Sequence, residues 1–191
     1  MAALRVERGQ LEPAPEVIVI SPMRRRHLRS VLRIENQVYP RPWTFGLYLG
    51  ELALHGSRLY LVARAGQRGP VVGYAGVMMS LEDGHVTTVA VEPTCQRGKI
   101  ATRLLLVLAR GAIAMGAENL TLEVRMSNTG AQALYRRFGF APAGVRKNYY
   151  AEVNEDALIM WAHDVHLPEY RERLARIEAA LPSPLLVEGA A

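Results

Sequence analysis

Two cations flank a glycine, Arg97-Gly98-Lys99, where a segment that reads as a strand (86–91) gives way to the apolar run that opens at Ile100. Backbone N–H groups in the first turn of a helix have no intrahelical acceptor and sit at the positive end of the helix dipole. Anions bind there. A glycine lets the main chain approach the ligand, and Arg97 and Lys99 add formal charge beside the amides, a combination suited to linked phosphates. An ordinary strand-to-helix turn with surface charges would use the same residues. The strand before and the buried helix after favour the pyrophosphate cradle.

The remaining chemistry-bearing residues exclude several classes. A single cysteine, Cys95, forms no intramolecular disulfide, and no Cys/His cluster has metal-ligand spacing, so no metal is expected. No stretch reaches the ~20 apolar residues of a membrane span, and no apolar h-region follows Met1. A cytoplasmic protein without a membrane partner is the expectation. The net charge of +5 favours polyanionic ligands without choosing among them. Arg24, Arg25, Arg26, Arg29 and Arg33 crowd one segment, but no aromatics interleave with them, and a solvated face explains them better than specific nucleic-acid binding.

With 191 residues, half of them hydrophobic, the chain can bury one substantial core. Residues 1–16 read as a flexible leader and 17–163 as one α/β (α+β) domain; an amphipathic helix at 164–181 and a disordered tail at 182–191 complete the chain. Ser21-Pro22 opens a predicted helix over 22–37 with Leu28, Val31, Leu32 and Glu35 at helical spacing. The segment Tyr39-Pro40-Arg41-Pro42-Trp43 breaks it, and Thr44 caps a second helix. Residues 59–63, 71–79 and 86–91 read as an antiparallel meander with turns at 66–69 and at Asp83-Gly84.

A buried helix over 100–115 then leads to an alternating strand at 120–125, so 86–125 spells a strand–helix–strand crossover. Asn128-Thr129 caps the next helix, whose inner stripe is Ala131, Leu134, Tyr135 and Phe138, and strands at 140–145 and 158–162 follow. The architecture expected is a mixed, twisted sheet of about six or seven strands flanked by helices.

The phosphate loop Gln96-Arg97-Gly98 with Ala101 entering a Leu-rich helix resembles the acetyl-CoA motif of the GNAT N-acetyltransferases, with Lys99 where that motif has glycine. Three further stretches, ENQVYPRPWT (35–44), LEVRMSNTGAQALYRRFGF (122–140) and NYYAEVNEDALIM (148–160), resemble the ribosomal-protein-alanine N-acetyltransferase branch of that family. The resemblance implies acetyl-CoA as co-substrate and a protein N-terminal peptide, of a ribosomal protein, as acceptor. It places the pantetheine arm along Val89, Ala90 and Val91, in a slot between splayed strands. The pyrophosphate falls on Arg97, Gly98, Lys99, Ile100, Ala101 and Thr102, and Asn128 contacts the cofactor.

By the same resemblance Glu123 is the general base and Tyr135 the general acid. Tyr149 and Tyr150, with Tyr39 and Trp43 of the helix-breaking loop, read equally as part of an acceptor-peptide groove and as plain packing of a β-hairpin. Without the resemblance, a tyrosine in the place of Tyr135 is more often a core residue with its hydroxyl at the surface, and a glutamate in the place of Glu123 more often half of a surface ion pair with Arg125. The chemistry suits an α-amine. With a pKa near ~8, about a tenth of it is neutral at pH 7, against roughly one in two thousand for a lysine near ~10.4.

Overall fold

The computed structural model describes residues 17–189. The expected leader at 1–16 and the last two positions of the tail lie outside the described residues. The chain opens with β1 (Ile18–Pro22), followed by α1 (Leu28–Val38) and α2 (Phe45–Ala53). The meander β2 (Arg58–Ala65), β3 (Val71–Ser80) and β4 (Asp83–Val91) comes next, and α3 (Ile100–Ala114) carries the chain to β5 (Asn119–Arg125). Then come α4 (Thr129–Arg137), the hairpin β6 (Ala141–Tyr150) and β7 (Glu155–Ala162), α5 (Pro168–Ala179) and a two-residue β8 (Leu186–Val187).

These strands form one sheet in the order β6-β7-β5-β4-β3-β2-β1-β8, eight where six or seven were expected. Neighbours are antiparallel except β4 with β5, joined through α3, and β1 with β8. Alternation along the strands buries side chains on both faces. On one face Leu104, Leu108, Leu120, Phe138 and Leu174 join α3, α4 and α5 to the sheet. On the other, Leu28, Val31, Ile34, Tyr48, Tyr60 and Tyr74 pack α1 and α2 against it.

Three expectations need correction. The helix predicted from Pro22 begins at Leu28, after a 3₁₀ turn at Arg25–His27, because Ser21 and Pro22 stay in β1 opposite Val62 and Leu61. The turn predicted at Asp83-Gly84 lies at 81–82 instead, since Ser80 pairs with Asp83. Gly84 serves close packing there: a Cβ on it would come within 2.7 Å of the Leu120 side chain. The tail does not fray at Pro182. The backbone carbonyls of Ser183 and Pro184 accept from the buried Arg103 guanidinium at 2.9 and 2.8 Å, and β8 then adds to the β1 edge.

Two irregularities in β4 prepare the site. Gly76 pairs with Thr88 but Val77 with Val86, so Thr87 is an extra residue, a β-bulge. Thr87 and Thr88 thereby both reach the α1–α2 side, where Thr88 Oγ1 meets the Tyr39 hydroxyl at 3.1 Å and Thr87 Oγ1 meets Tyr60 at 3.4 Å. Gly76 makes room for that ring; a Cβ there would lie 2.2 Å from Tyr60 Cε1. The parallel pairing of β4 with β5 stops at His85 opposite Thr121. Beyond it, β4 runs on to Val91 and β5 to Arg125 without pairing to each other, which leaves a slot between them.

Candidate active site

A cavity of about 400 Å³ lies on the α1–α2 side of the sheet at this slot. Its walls come from the connection between the first two helices (Tyr39, Trp43), from His85 and Thr87 on β4, from Glu123 on β5, and from Tyr149 and Tyr150 at the end of β6. Glu123 and the four aromatic residues singled out in the sequence thus converge on one space. The strand containing Tyr149 and Tyr150 runs to residue 150, past the 145 predicted, and this extension brings them there.

Glu123 is held from two directions. His85 Nε2 lies 3.3 Å from one carboxylate oxygen and Arg146 Nη1 lies 3.1 Å from the other. The ion pair with Arg125 considered from the sequence does not form: Arg125 instead donates to the Val38 carbonyl at 3.1 Å and stacks over the Tyr150 ring at 5.6 Å. Tyr150 donates to the Glu123 backbone carbonyl at 3.4 Å, and burial pushes its own hydroxyl up to about 12. Arg146 also lies over the Tyr149 ring, at 5.0 Å. Aromatic faces and guanidinium planes therefore build the wall behind the carboxylate.

The connection between the first two helices is fixed by Glu35, an almost fully buried residue on α1. One of its carboxylate oxygens accepts from the Trp43 amide at 3.0 Å; the other accepts from the Tyr48 hydroxyl at 2.8 Å and from Tyr74. The Tyr39 hydroxyl, bonded to Thr88, also lies 3.2 Å from the Val89 carbonyl, to which it donates. Arg41 and Glu152 meet at 3.5 Å between the helix connection and the β6–β7 turn.

Tyr135 sits on the inner face of α4, 8% exposed, its ring edge-on to Phe140 at 5.8 Å, and does not line the cavity. Burial, reinforced by the nearby Tyr39 and Tyr150, raises its hydroxyl well above the ordinary tyrosine range, so it holds its proton at neutral pH. Asn128 is the N-cap of α4, its side-chain oxygen accepting from the Ala131 amide at 3.1 Å.

The cradle residues gather at the other end of β4. After Val91 a 3₁₀ turn (Pro93–Cys95) leads into Gln96, and the chain takes left-handed backbone at Arg97 (φ 70°) and Lys99 (φ 60°) before α3 starts at Ile100. Arg97 and Lys99 are exposed, whereas Ile100 and Thr102 point into the core; Gly98 and Ala101 are half-buried. Ala90 is buried, and Val89 and Val91 pack partly against the α3 side. Backbone amides at the head of α3 and permanent charge beside them are what a pyrophosphate requires, and the unpaired stretch of β4 leads from them toward Glu123.

The sequence reading missed His85, Arg146 and the bonding role of Glu35. His85 was lost because it fell between a supposed turn and the start of a strand; alternation with Thr87 was the available signal. Among the described residues no group of three or more His, Cys, Asp or Glu side chains could hold a metal, and no helix is long and apolar enough to cross a membrane.

Residues 28–140 match the acetyltransferase (GNAT) family. A protein of Bacillus subtilis named putative [ribosomal protein bS18]-alanine N-acetyltransferase is 36% identical over 139 residues, 73% of this chain and 91% of that protein. The Escherichia coli [ribosomal protein bS18]-alanine N-acetyltransferase is 33% identical over 143 residues, 74% of this chain and 94% of its own length. The crystal structure of the ribosomal-protein-S18-alanine N-acetyltransferase from Escherichia coli superposes with a TM-score of 0.68 at 29% identity, covering 78% of this chain and 94% of that one.

Proposed function

The chain belongs to the acetyltransferase (GNAT) family, and from that premise we propose that it transfers the acetyl group of acetyl-CoA to the α-amine of a protein N-terminus, the N-terminal alanine of ribosomal protein bS18. The observation that carries the reading is the position of Glu123: a carboxylate 11% exposed, at the slot where β4 and β5 part, facing a cavity walled by Tyr39, Trp43, Tyr149 and Tyr150. The names of the relatives supply the acceptor. Acetyl-CoA supplies the activated thioester carbonyl.

The residues divide the work. Amides at the head of α3, with Arg97 and Lys99, hold the pyrophosphate; Val89, Ala90 and Val91 guide the arm along β4; and Asn128 at the head of α4 borders it. The acceptor arrives mostly as an ammonium and must lose a proton before it attacks. Glu123 takes that proton, directly or across one water. When the tetrahedral intermediate collapses, the departing thiolate needs a proton, and the Tyr135 hydroxyl, kept protonated by burial, supplies it.

The test is an assay with acetyl-CoA and peptides beginning Ala, with the acetyl group located by fragmentation mass spectrometry. N-terminal acetylation is expected, lost by about 100-fold in Glu123→Gln and in Tyr135→Phe, the range typical of acid–base groups. Acetyl found only on lysine side chains overturns the reading.

A further inference from the structure

His85 lines the cavity and touches Glu123, yet has no part in the reaction as derived above. Resting on that reading of Glu123, we propose that His85 is the proton relay of the site, receiving from Glu123 the proton taken from the incoming ammonium and passing it to the water of the cavity. Pairing geometry holds the two together. His85 is the last β4 residue paired to β5, opposite Thr121, and Glu123 stands two residues beyond Thr121 on the same face of β5. The diagonal this makes leaves Nε2 and the carboxylate 3.3 Å apart.

The proton moves in two balanced steps. An N–H bond of the ammonium breaks as an O–H bond forms on Glu123, leaving a neutral amine able to attack. That O–H bond then breaks as Nε2 gains the proton, which restores the carboxylate and leaves an imidazolium beside it. The direction is outward, because the His85 side chain is 27% exposed and that of Glu123 only 11%. Imidazole has two ring nitrogens, one able to accept a proton while the other releases one, which suits a relay between a carboxylate and solvent.

Among the described residues no other group in reach is as well placed for this part. Arg146, the second partner of Glu123, has no lone pair to accept a proton. The Glu35 oxygens are engaged by Trp43, Tyr48 and Tyr74, and Glu51 Oε2 by Arg58 and Tyr60. At the mouth, Arg41 and Glu152 face each other. Tyr39 and Tyr150 are pushed up by burial and remain protonated, and Tyr149 lies against Arg146.

His85→Gln and His85→Asn, assayed with acetyl-CoA and an Ala-starting peptide across pH 6 to 9, test the relay. Both variants should lose about 10-fold or more in kcat and change the acidic limb of kcat/KM, while binding acetyl-CoA within about 2-fold of the parent by calorimetry. Added imidazole should restore part of the rate, which a merely structural role for His85 would not permit. Superimposable pH profiles for the parent and both variants, or losses that imidazole does not relieve in either variant, overturn the relay and leave N-terminal transfer standing. An unmodified chain that yields no N-terminal product refutes the reading of Glu123 itself, and the relay with it.

Discussion

Replacing Glu35 by methionine tests whether one buried carboxylate holds the acceptor side of the site. Methionine keeps the helix and roughly the volume but removes both acceptor oxygens, so the Trp43 amide and the Tyr48 and Tyr74 hydroxyls lose their common partner. Tyr48 and Tyr74 are pushed far above the ordinary tyrosine range, by burial first, so both remain donors at any working pH. Each buried donor left unsatisfied costs about 1–3 kcal/mol, and the burden of burying the carboxylate is relieved in exchange, so the net loss is about 3–5 kcal/mol. For a chain of this size that lowers Tm by about 10 °C. Glu35→Gln, which keeps one acceptor, should lose about half as much. Because the Trp43 amide anchors the helix connection beside the cavity, KM for an Ala-starting peptide should rise about 10-fold, while calorimetry with acetyl-CoA stays within about 2-fold. A Glu35→Met protein melting within about 2 °C of the parent, or losing acetyl-CoA affinity as much as peptide affinity, refutes this account.

Lys99 occupies left-handed backbone at a cost of about 1 kcal/mol, so Lys99→Gly should melt no lower than the parent and keep most of its acetyl-CoA affinity. Lys99→Val, β-branched at the same φ, should lose about 1–2 kcal/mol in thermal unfolding. Ending the chain after Leu181 strips the Arg103 guanidinium of the Ser183 and Pro184 acceptors and deletes β8; denaturant unfolding should register a loss of about 3–5 kcal/mol, most of it recovered by adding Arg103→Met. His27 is held below the ordinary imidazole value by burial first and then by Arg26, Arg64 and Arg24. The unfolded chain therefore binds the proton more readily, so stability present above pH ~6.5 is lost as pH falls from there through the folded value, and His27→Gln should flatten that slope in melts from pH 7 to 5.

Local patterns revealed most of the elements. The period-2 run around Leu120, the apolar runs of the meander, the Thr44 and Asn128 caps and the apolar helix after Lys99 are each decided by neighbours within a turn or two of chain, and all are present. What escaped depends on distant partners. Ser21-Pro22 has the chemistry of a helix start, yet pairing with Leu61 and Val62 keeps it extended. The tail after Pro182 looks too short to order itself, and is ordered through Ser183 and Pro184 by a buried arginine eighty residues earlier in the chain. Tyr149 and Tyr150 read as a connection because the exposed edge strand preceding them has no apolar alternation.

The site divides along the same line. Glu123 and Tyr135 could be picked out only through a resemblance, since nothing in the alternation of 120–125 distinguishes a base from a solvent-facing carboxylate. His85 and Arg146, which hold Glu123, lie 38 and 23 positions from it and meet it only once β4, β5, β7 and β6 are side by side. The displaced glycine of the phosphate loop is resolved by backbone rather than by residue type. The left-handed turn that a glycine would favour at position 99 is kept by Lys99 itself, whose exposed side chain meets no core packing, so the amides after it still open α3. Substitution at that position thus exchanges a modest backbone strain for one more positive charge at the head of α3. Arg97, also left-handed, adds a similar strain of its own, and Ile100, buried immediately after Lys99, fixes where the helix must begin.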